Sequence, residues 1–410
     1  MAEAYWDVVV IGAGAAGLLA AARSAERGRR TLLLEKNRRP GVKILMSGGT
    51  RCNITHATDN RGIVEAFGPP GRFLHSALAA LSVRDTIDLF EGEGVPTKVE
   101  ETGKVFPVSN KATDVLDALL RRLRRSGATL ALAEPVLDLR RTDAGFTLTT
   151  PQRVCGAARV VLTSGGTSYP GSGTTGDGYG FAARLGHSIV TPRPALVPVT
   201  VTAAWVPGLR GVTVPDVAVR VVEDGAVLAA RRGSLLFAHF GLSGPVVLDV
   251  GGAVSGHPRP DALGLRLDLL PQMNIDALDD FLRAEALASG KKQLAGVLAA
   301  HLPRRLCDTL LSLAGLPVER KAAALNKPDR LRLSQLTKGL LIPVTGTLGF
   351  KKAEVTAGGV ALDEIESRSM CSKLVPGLWI AGEVLDLDGP IGGYNFQAAF
   401  STGWLAGETV

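Results

Sequence analysis

An α/β fold follows from three observations in the sequence. Residues 7–35 run from a β-branched stretch through a glycine-rich turn into an Ala/Leu-rich helix and a second apolar stretch, the order of one βαβ unit. Apolar strands that break into glycine recur at 160–166 and 378–382. Between 191 and 345 the pattern changes to closely spaced short strands and then to helical periodicity. Together these predict a Rossmann-like nucleotide-binding domain, discontinuous along the chain at 1–190 and 346–410, with an inserted β-rich plus helical domain at 191–345.

The opening unit fixes the class of ligand. In VIGAGAAG, Gly12 permits a tight turn, Gly14 lets a pyrophosphate approach the backbone, and Gly17 lets the helix pack against the strand. The helix start at Ala15 and Ala16 presents N–H groups that no turn of helix satisfies, so it attracts phosphate. Glu35, followed by Lys36, ends the second strand at the remove from Gly17 where a carboxylate accepts hydrogen bonds from an adenosine ribose.

Composition removes several classes. A chain of 410 residues with 46% apolar and 21% charged residues has the balance of a folded globular protein of two or three domains. The apolar run at 8–22 is too short and glycine-rich to span a bilayer, and the first six residues lack a basic export leader, so the expectation is a cytoplasmic protein without a membrane partner. Cys52, Cys155, Cys307 and Cys371 lie far apart with no CxxC pair, which excludes both a disulfide framework and an adjacent redox dithiol. The formal charge of +7 comes from arginine clusters at 27–30, 38–39 and 121–125, scattered among acids without interleaved aromatics. They read as solvated helix faces, and no nucleic-acid partner is expected. No pair of histidines or acids has metal-ligand spacing, and no GxSxG or Ser/His/Asp set emerges.

In chain order, residues 36–56 form a glycine-broken loop in which Lys43 and Arg51 can offset phosphate charge, while Ser47, Asn53 and the backbone of Gly48 and Gly49 can bond a polyol. Cys52 reads as a small packing residue rather than a nucleophile. Helical spacing covers 73–89 and 110–126, with strands at 104–106, 129–132, 136–140, 146–149 and 159–162. Ser164, Gly165 and Gly166 leave room for a second approach to the ligand, and Asp177 opens the next helix. Tyr169 has two open readings, a substrate acid or a ring packed over the loop. In the insert, FAHFGLSGP places His239 at a strand-to-helix junction, as a proton donor or as a structural histidine bonded to a carbonyl. In the tail, Gly382 and Glu383 end a strand, Asp386 sits on an acidic loop, and Gly392, Gly393, Tyr394 and Asn395 lead into the last helix. Its N-terminus carries about half a positive charge.

The pieces VIGAGAAG, SGGTRCNITH, SGGTSYPGSGTTGDGYGFAARLGH, FAHFGLSGP, AEVTAGGV and GLWIAGEVLDLDGPIGGYNFQAAFSTGWLAG occur in order over nearly the whole chain. In them the sequence resembles the HI0933-like bacterial flavoproteins, related in fold to the FAD domain of glutathione reductase. The family more often has glycine where this chain has Thr50. The resemblance implies that the Val136 backbone contacts adenine, that Glu383 or Asp386 serves the ribityl and phosphate part, and that the backbone of residues 393–395 lies at the flavin pyrimidine.

The residues themselves point to FAD over NAD. One fingerprint holds one dinucleotide, and the additional glycine-rich loops at 47–53, 164–176 and 392–395 exceed what a nicotinamide needs. With no second GxGxxG, any NAD(P)H is a transient visitor to the substrate cleft. The expected activity moves a hydride between flavin N5 and a small or medium organic substrate, with the insert closing over the isoalloxazine. The resemblance offers enone reduction and amine oxidation as precedents. The alternatives are a flavin-dependent RNA-modifying enzyme, which requires a coherent basic face, and a non-catalytic flavin-bound redox sensor.

Overall fold

The structure, a computed structural model, describes residues 5–410. It divides into two compact units, one ending at Arg193 and resuming over Val355–Val410, the other spanning Pro194–Glu354.

The first unit is built on a nine-stranded sheet. Its parallel centre runs, side by side, through Thr129–Ala131, Thr31–Leu34, Tyr5–Ile11, Val154–Leu162 and Leu378–Ile380. Val9 and Ile11 face one core while Val8 and Val10 face the other, so the first strand is apolar at every buried position, as a parallel strand covered on both faces must be. The chain runs outward from Tyr5–Ile11 and then crosses back to Val154–Leu162 on its other side. The crevice between those two strands is therefore the switch point, where ligands of such sheets bind. Register places Ile11 opposite both Leu34 and Leu162, and Leu162 opposite Ile380. The residues that follow, Gly12, Glu35, Thr163 and Ala381, consequently leave the sheet along one line.

The helix Ala15–Glu26 packs between this sheet and the helix Tyr394–Thr409. The approach is close enough that a Cβ on Gly403 would lie 2.3 Å from the Ala16 carbonyl oxygen, and one on Gly407 2.5 Å from that of Ala20.

Two stretches differ from the sequence expectation. Residues 36–56 are not irregular throughout: a helix spans Val42–Thr50, and its backbone leaves helical values at Ser47, Gly48 and Gly49. The span 73–89 is not one helix, because Ser82 caps a new one, Val83–Gly92, through a reciprocal capping box with Asp85.

In the second unit, strands Val199–Val201, Gly241–Ser243, Ala226–Ala238, Thr213–Glu223, Gly264–Asp268 and Leu340–Thr347 close into a barrel. Val217, Val219 and Val221 alternate inward against Leu265 and Leu267. The helix Pro245–Ser255 adds Val246, Val247, Val250 and Val254 to the same core, and helices Ile275–Ala288, Leu294–Leu298, Arg304–Leu313 and Lys327–Gly339 extend it. The barrel's last strand carries this unit past residue 345 to Glu354, whose N–H donates to the Leu196 carbonyl.

A branched side chain at position 403 has no space in the helix pair of the first unit. Gly403→Val is expected to lower stability by about 3 kcal/mol, measured by urea unfolding of the protein without added ligand. Wild-type stability would show that the two helices separate at no cost.

Candidate functional site

The three fingerprint glycines divide their labour in the structure. Gly12 has φ +103°, and a Cβ there would sit 2.7 Å from the Thr163 carbonyl oxygen. A Cβ on Gly17 would be driven to 1.8 Å from the Gly12 carbonyl oxygen. Gly14 is different: a Cβ there meets nothing within 4 Å. The outer two glycines serve packing, and the middle one borders open space. The Thr163 hydroxyl ties the loop down by donating to the carbonyls of Ile11 and Gly12, each at 3.0 Å.

Glu35 is buried, and its carboxylate accepts from the Ala13 N–H and the Asn37 N–H, each at 2.8 Å. It braces the glycine loop from the neighbouring strand end while keeping lone pairs for a further donor. The helix Ala15–Glu26, which starts at this loop and contains Ala15 and Ala16, has no side-chain cap and no acid in its first turn. The same holds for Tyr394–Thr409, entered through Gly393 at φ +99°. Elsewhere in this unit Val83–Gly92 and Asn60–Ala66 are capped by Ser82 and Asp59. These two starts, like that of Val42–Thr50, thus present positive ends and unsatisfied N–H groups.

Lys43 and Arg51, read as counter-charges for phosphate, are ion-paired. Lys43 Nζ lies 2.5 Å from Glu383 and 2.7 Å from the Ser168 hydroxyl, which itself donates to Glu383 at 2.9 Å. Glu383 also accepts from the Thr356 N–H, and the Thr356 hydroxyl oxygen accepts from the N–H groups of Thr167 and Ser168. This network binds the loop after Val154–Leu162 to that after Leu378–Ile380. Arg51 pairs with Glu100 at 2.6 Å and lies over the Phe106 ring at 3.9 Å. Lys36 bonds Thr175 and Asp177. Burial alone would raise the Asp177 carboxyl, but the bonds from Lys36 and Thr175 outweigh it and hold it below its ordinary range.

The remaining site residues are placed as follows. Ser47 donates to the Ile44 carbonyl. Gly48, Gly49 and Thr50 follow one another in the left-handed region, with Thr50 at φ +69°. That value is costly for a β-branched residue and marks local strain where the sequence departs from glycine. Cys52 is fully buried and its thiol is pushed up to about 12 by burial, the behaviour of a packing residue. Val136 lies in the loop before the strand Asp138–Thr142. Gly165 has φ +73°, and a Cβ on Gly166 would strike the Thr356 hydroxyl at 2.4 Å. Gly382 abuts Ala16. The His56 ring bonds the Gly392 carbonyl at 3.1 Å and stacks on Tyr394 at 4.6 Å. Asn395 folds back to exchange hydrogen bonds with both backbone groups of Gly389. Tyr169 is exposed, in the left-handed region, at the edge of the 164–176 loop.

His239 corrects the sequence reading. It sits on the exposed turn of a hairpin between Ala226–Ala238 and Gly241–Ser243, not at a helix start, because the chain doubles back at Gly241 before Pro245 begins the helix. Its ring stands edge-on to Phe240.

Sequence reasoning named Ser164, Asn53 and Asp386 but missed Ser168, Thr356 and Tyr179. Ser168 and Thr356, both buried, are hubs of the Glu383 network. The Ser164 hydroxyl, the Asn53 carbonyl oxygen and the Tyr179 hydroxyl are buried without a protein partner. Burial and the carboxylates of Glu383 and Asp386 push the Tyr179 phenol up. Burial raises the carboxyls of Asp386 and Asp388, with Arg193 opposing it at both. The only sequence signal was positional: Tyr179 and Thr356 fall inside the recurring glycine-rich pieces.

The family model described as the HI0933-like protein Rossmann domain matches residues 6–409. The chain belongs to the HI0933-like family. Within it, the chain is 36% identical over 98% of its length to the ribosomal RNA dihydrouridine synthase of Escherichia coli K12, covering 97% of that protein. It is 30% identical to the 3-dehydro-bile acid delta(4,6)-reductase of Clostridium scindens, over 97% of both chains. Among solved structures, it matches a flavocytochrome c3 fumarate reductase with TM-score 0.52 and 17% identity, covering 99% of this chain and 78% of that one. A 3-ketosteroid delta1-dehydrogenase from Sterolibacterium denitrificans matches with TM-score 0.50 and 14% identity over 98% of both chains. This HI0933-like protein is an FAD-dependent oxidoreductase. Its residues fit the cofactor: space at Gly14, two bare helix starts, and orphaned polar atoms at Ser164 and Asn53 in the glycine-rich loops. Among the described residues no group of three His, Cys, Asp or Glu side chains is arranged for a metal, and no helix is long and apolar enough to cross a membrane.

Two outcomes follow. Gly14→Ala is expected to melt as wild type in the flavin-free state but to hold FAD about tenfold or more weakly, because its methyl group occupies the space open to the pyrophosphate and pushes it off the loop's N–H groups. Gly17→Ala is expected not to fold. Equal flavin retention by Gly14→Ala, read by titration, would contradict the assignment of that space.

For Asp388 the folded carboxyl titrates above its unfolded value, so the folded state binds the extra proton, and stability falls as pH rises through that window. Asp388→Asn is expected to be more stable than wild type at pH above the window, with the gap closing as pH falls. Urea unfolding across pH reads it, and a gap that widens in acid would contradict the burial argument.

Proposed function

We propose that this protein reduces a carbon–carbon double bond of uracil in ribosomal RNA, producing dihydrouridine, with NAD(P)H as a transient reductant. The observation that carries this reading is the 36% identity, over 98% of this chain and 97% of the relative, to a protein named as a ribosomal RNA dihydrouridine synthase. A second relative of the same name, from Haemophilus influenzae, is 31% identical over 99% of the chain. The bile-acid enzyme is likewise named as a reductase, which favours reduction over amine oxidation.

When bound, FAD supplies the hydride chemistry. The work of the chain is to hold and orient. The bare start of Ala15–Glu26 receives the pyrophosphate, and Glu35 accepts from the ribose. Glu383, fixed by Lys43, Ser168 and the Thr356 N–H, serves the polyol part. The bare start of Tyr394–Thr409 places positive potential where reduction deposits negative charge. Saturating a double bond also takes one proton, and Tyr169, exposed on a loop of the unit that carries the fingerprint, is its proposed source; His239 is the second candidate.

The test is to incubate the holoprotein with NADH or NADPH and ribosomal RNA transcribed in vitro. Expected are RNA-dependent consumption of the reductant and a uridine that gains two hydrogens by mass spectrometry, both strongly slowed in Tyr169→Phe. The 30% identity to the bile-acid reductase favours a second reading, reduction of a small enone. Turnover with a 3-oxo-Δ4 steroid and none with RNA would establish that reading instead.

A further inference from the structure

Of the arginine clusters most visible in the sequence, several members are tied down in the structure. Arg27 pairs with Glu408, Arg122 with Glu26, and Arg125 with Glu93, while Arg30 lies over the Trp6 ring. Unpaired positive charge also gathers in the second unit, from residues far apart in sequence.

Lys291 and Lys292 precede the helix Leu294–Leu298, and the antiparallel bridge between Gln293 and Lys321 sets Lys321 beside them. The Lys292 carbonyl accepts from the Ala322 N–H at 2.9 Å, which fixes that neighbour. Arg304 reaches the same place: its guanidinium donates to Gln293 at 2.9 Å, and both it and the Lys292 stem lie within 4 Å of where a Gly296 Cβ would be. Next to Arg304, Arg305 donates to the carbonyls of Arg210 and Gly208, which brings Arg210 into the group. All of these basic residues are exposed. Arg304 shares its charge with Asp308, and Glu319 is exposed on the adjoining loop. Lys291, Lys292, Lys321, Arg210 and Arg305 form no ion pair among the described residues. Like charges gathered on one face repel, and the three lysines, exposed and without ion pairs, have no opposite charge to offset them. A polyanion tracking the face removes the repulsion and releases counterions.

We propose that this face, Lys291, Lys292, Lys321, Arg304, Arg305 and Arg210, is an RNA-docking surface that grips the phosphate backbone of the ribosomal substrate, independently of the bases. The proposal rests on the RNA-reductase reading above and gives it the basic face that reading needs. Phosphate contacts position without specifying sequence, so the face contributes affinity and register, while base choice belongs elsewhere.

The test compares the wild-type holoprotein with Lys291→Gln/Lys292→Gln/Lys321→Gln/Arg210→Gln and with a charge-keeping Lys291→Arg/Lys292→Arg/Lys321→Arg variant. The probe is protein-free ribosomal RNA at a series of salt concentrations. Each lost phosphate contact removes about 0.7–0.9 from the slope of log affinity against log salt, so the Gln variant is expected to lose about 3. The Arg variant should keep the wild-type slope. Flavin reduction by NAD(P)H without RNA should be equal in all three, which shows the variants folded and loaded. If wild type modifies RNA and the Gln variant binds it with an unchanged slope, the face is wrong and the RNA reading stands. If wild type neither binds nor modifies RNA, both fall. Salt-sensitive binding to anionic phospholipid vesicles without RNA binding would likewise overturn the proposal in favour of a lipid surface.

Discussion

The structure depends on how closely the helix Ala15–Glu26 is approached from both sides. Toward the sheet, Gly12 admits the Thr163 backbone and Gly17 admits the Gly12 carbonyl and the Thr163 hydroxyl, which lets the helix start lie on the strand ends. On the other face, Gly403 and Gly407 let the helix Tyr394–Thr409 close onto Ala16 and Ala20 with backbone nearly against backbone. These contacts leave no room for a methyl group, so their favourable dispersion is tied to one geometry. That geometry brings two uncapped helix starts to the unit that carries the glycine loops. The alignment of the strands does the rest, delivering Gly12, Glu35 and Thr163 along one edge.

Much of this was legible because it is local. A strand, a glycine turn, a helix and an acid lie within residues 7–35, and steric rules connect them without reference to distant residues. The later glycine loops were visible for the same reason. What was not legible depends on partners remote in sequence. Lys43 and Arg51 look like free cations until Glu383 and Glu100 arrive from elsewhere in the chain. His239 looks like the end of a strand before a helix because nothing local announces that Gly241 turns the chain back. The basic residues of the second unit, split among 210, 291–292, 304–305 and 321, make no run that sequence inspection can find. The conspicuous Arg121–Arg125 run, by contrast, is tied down by Glu93 and Glu26.

The first unit also holds several groups at a cost. Ser164, Asn53 and Tyr179 keep buried polar atoms without protein partners, Asp386 and Asp388 are carboxyls raised by burial, and Thr50 occupies a strained backbone region. Each opposes folding of the bare chain. A cofactor that satisfies part of this set contributes to stability as well as to chemistry, since whatever binds only the folded state stabilises it by mass action. The cofactor and the fold are in this sense coupled.

Arg23 and Glu408 bond to each other across 385 residues of chain. The two helices that carry them form one packed pair, yet the ribosome makes one near the start of this sequence and the other after the whole second unit. At common rates of synthesis the interval is roughly 20–80 s. Throughout it, the face of Ala15–Glu26 at Ala16 and Ala20 lacks its partner, whereas the sheet and the helix Ala112–Ser126 that pack on its other sides are made early. The fingerprint helix is therefore completed only by one of the last segments of the chain to be made.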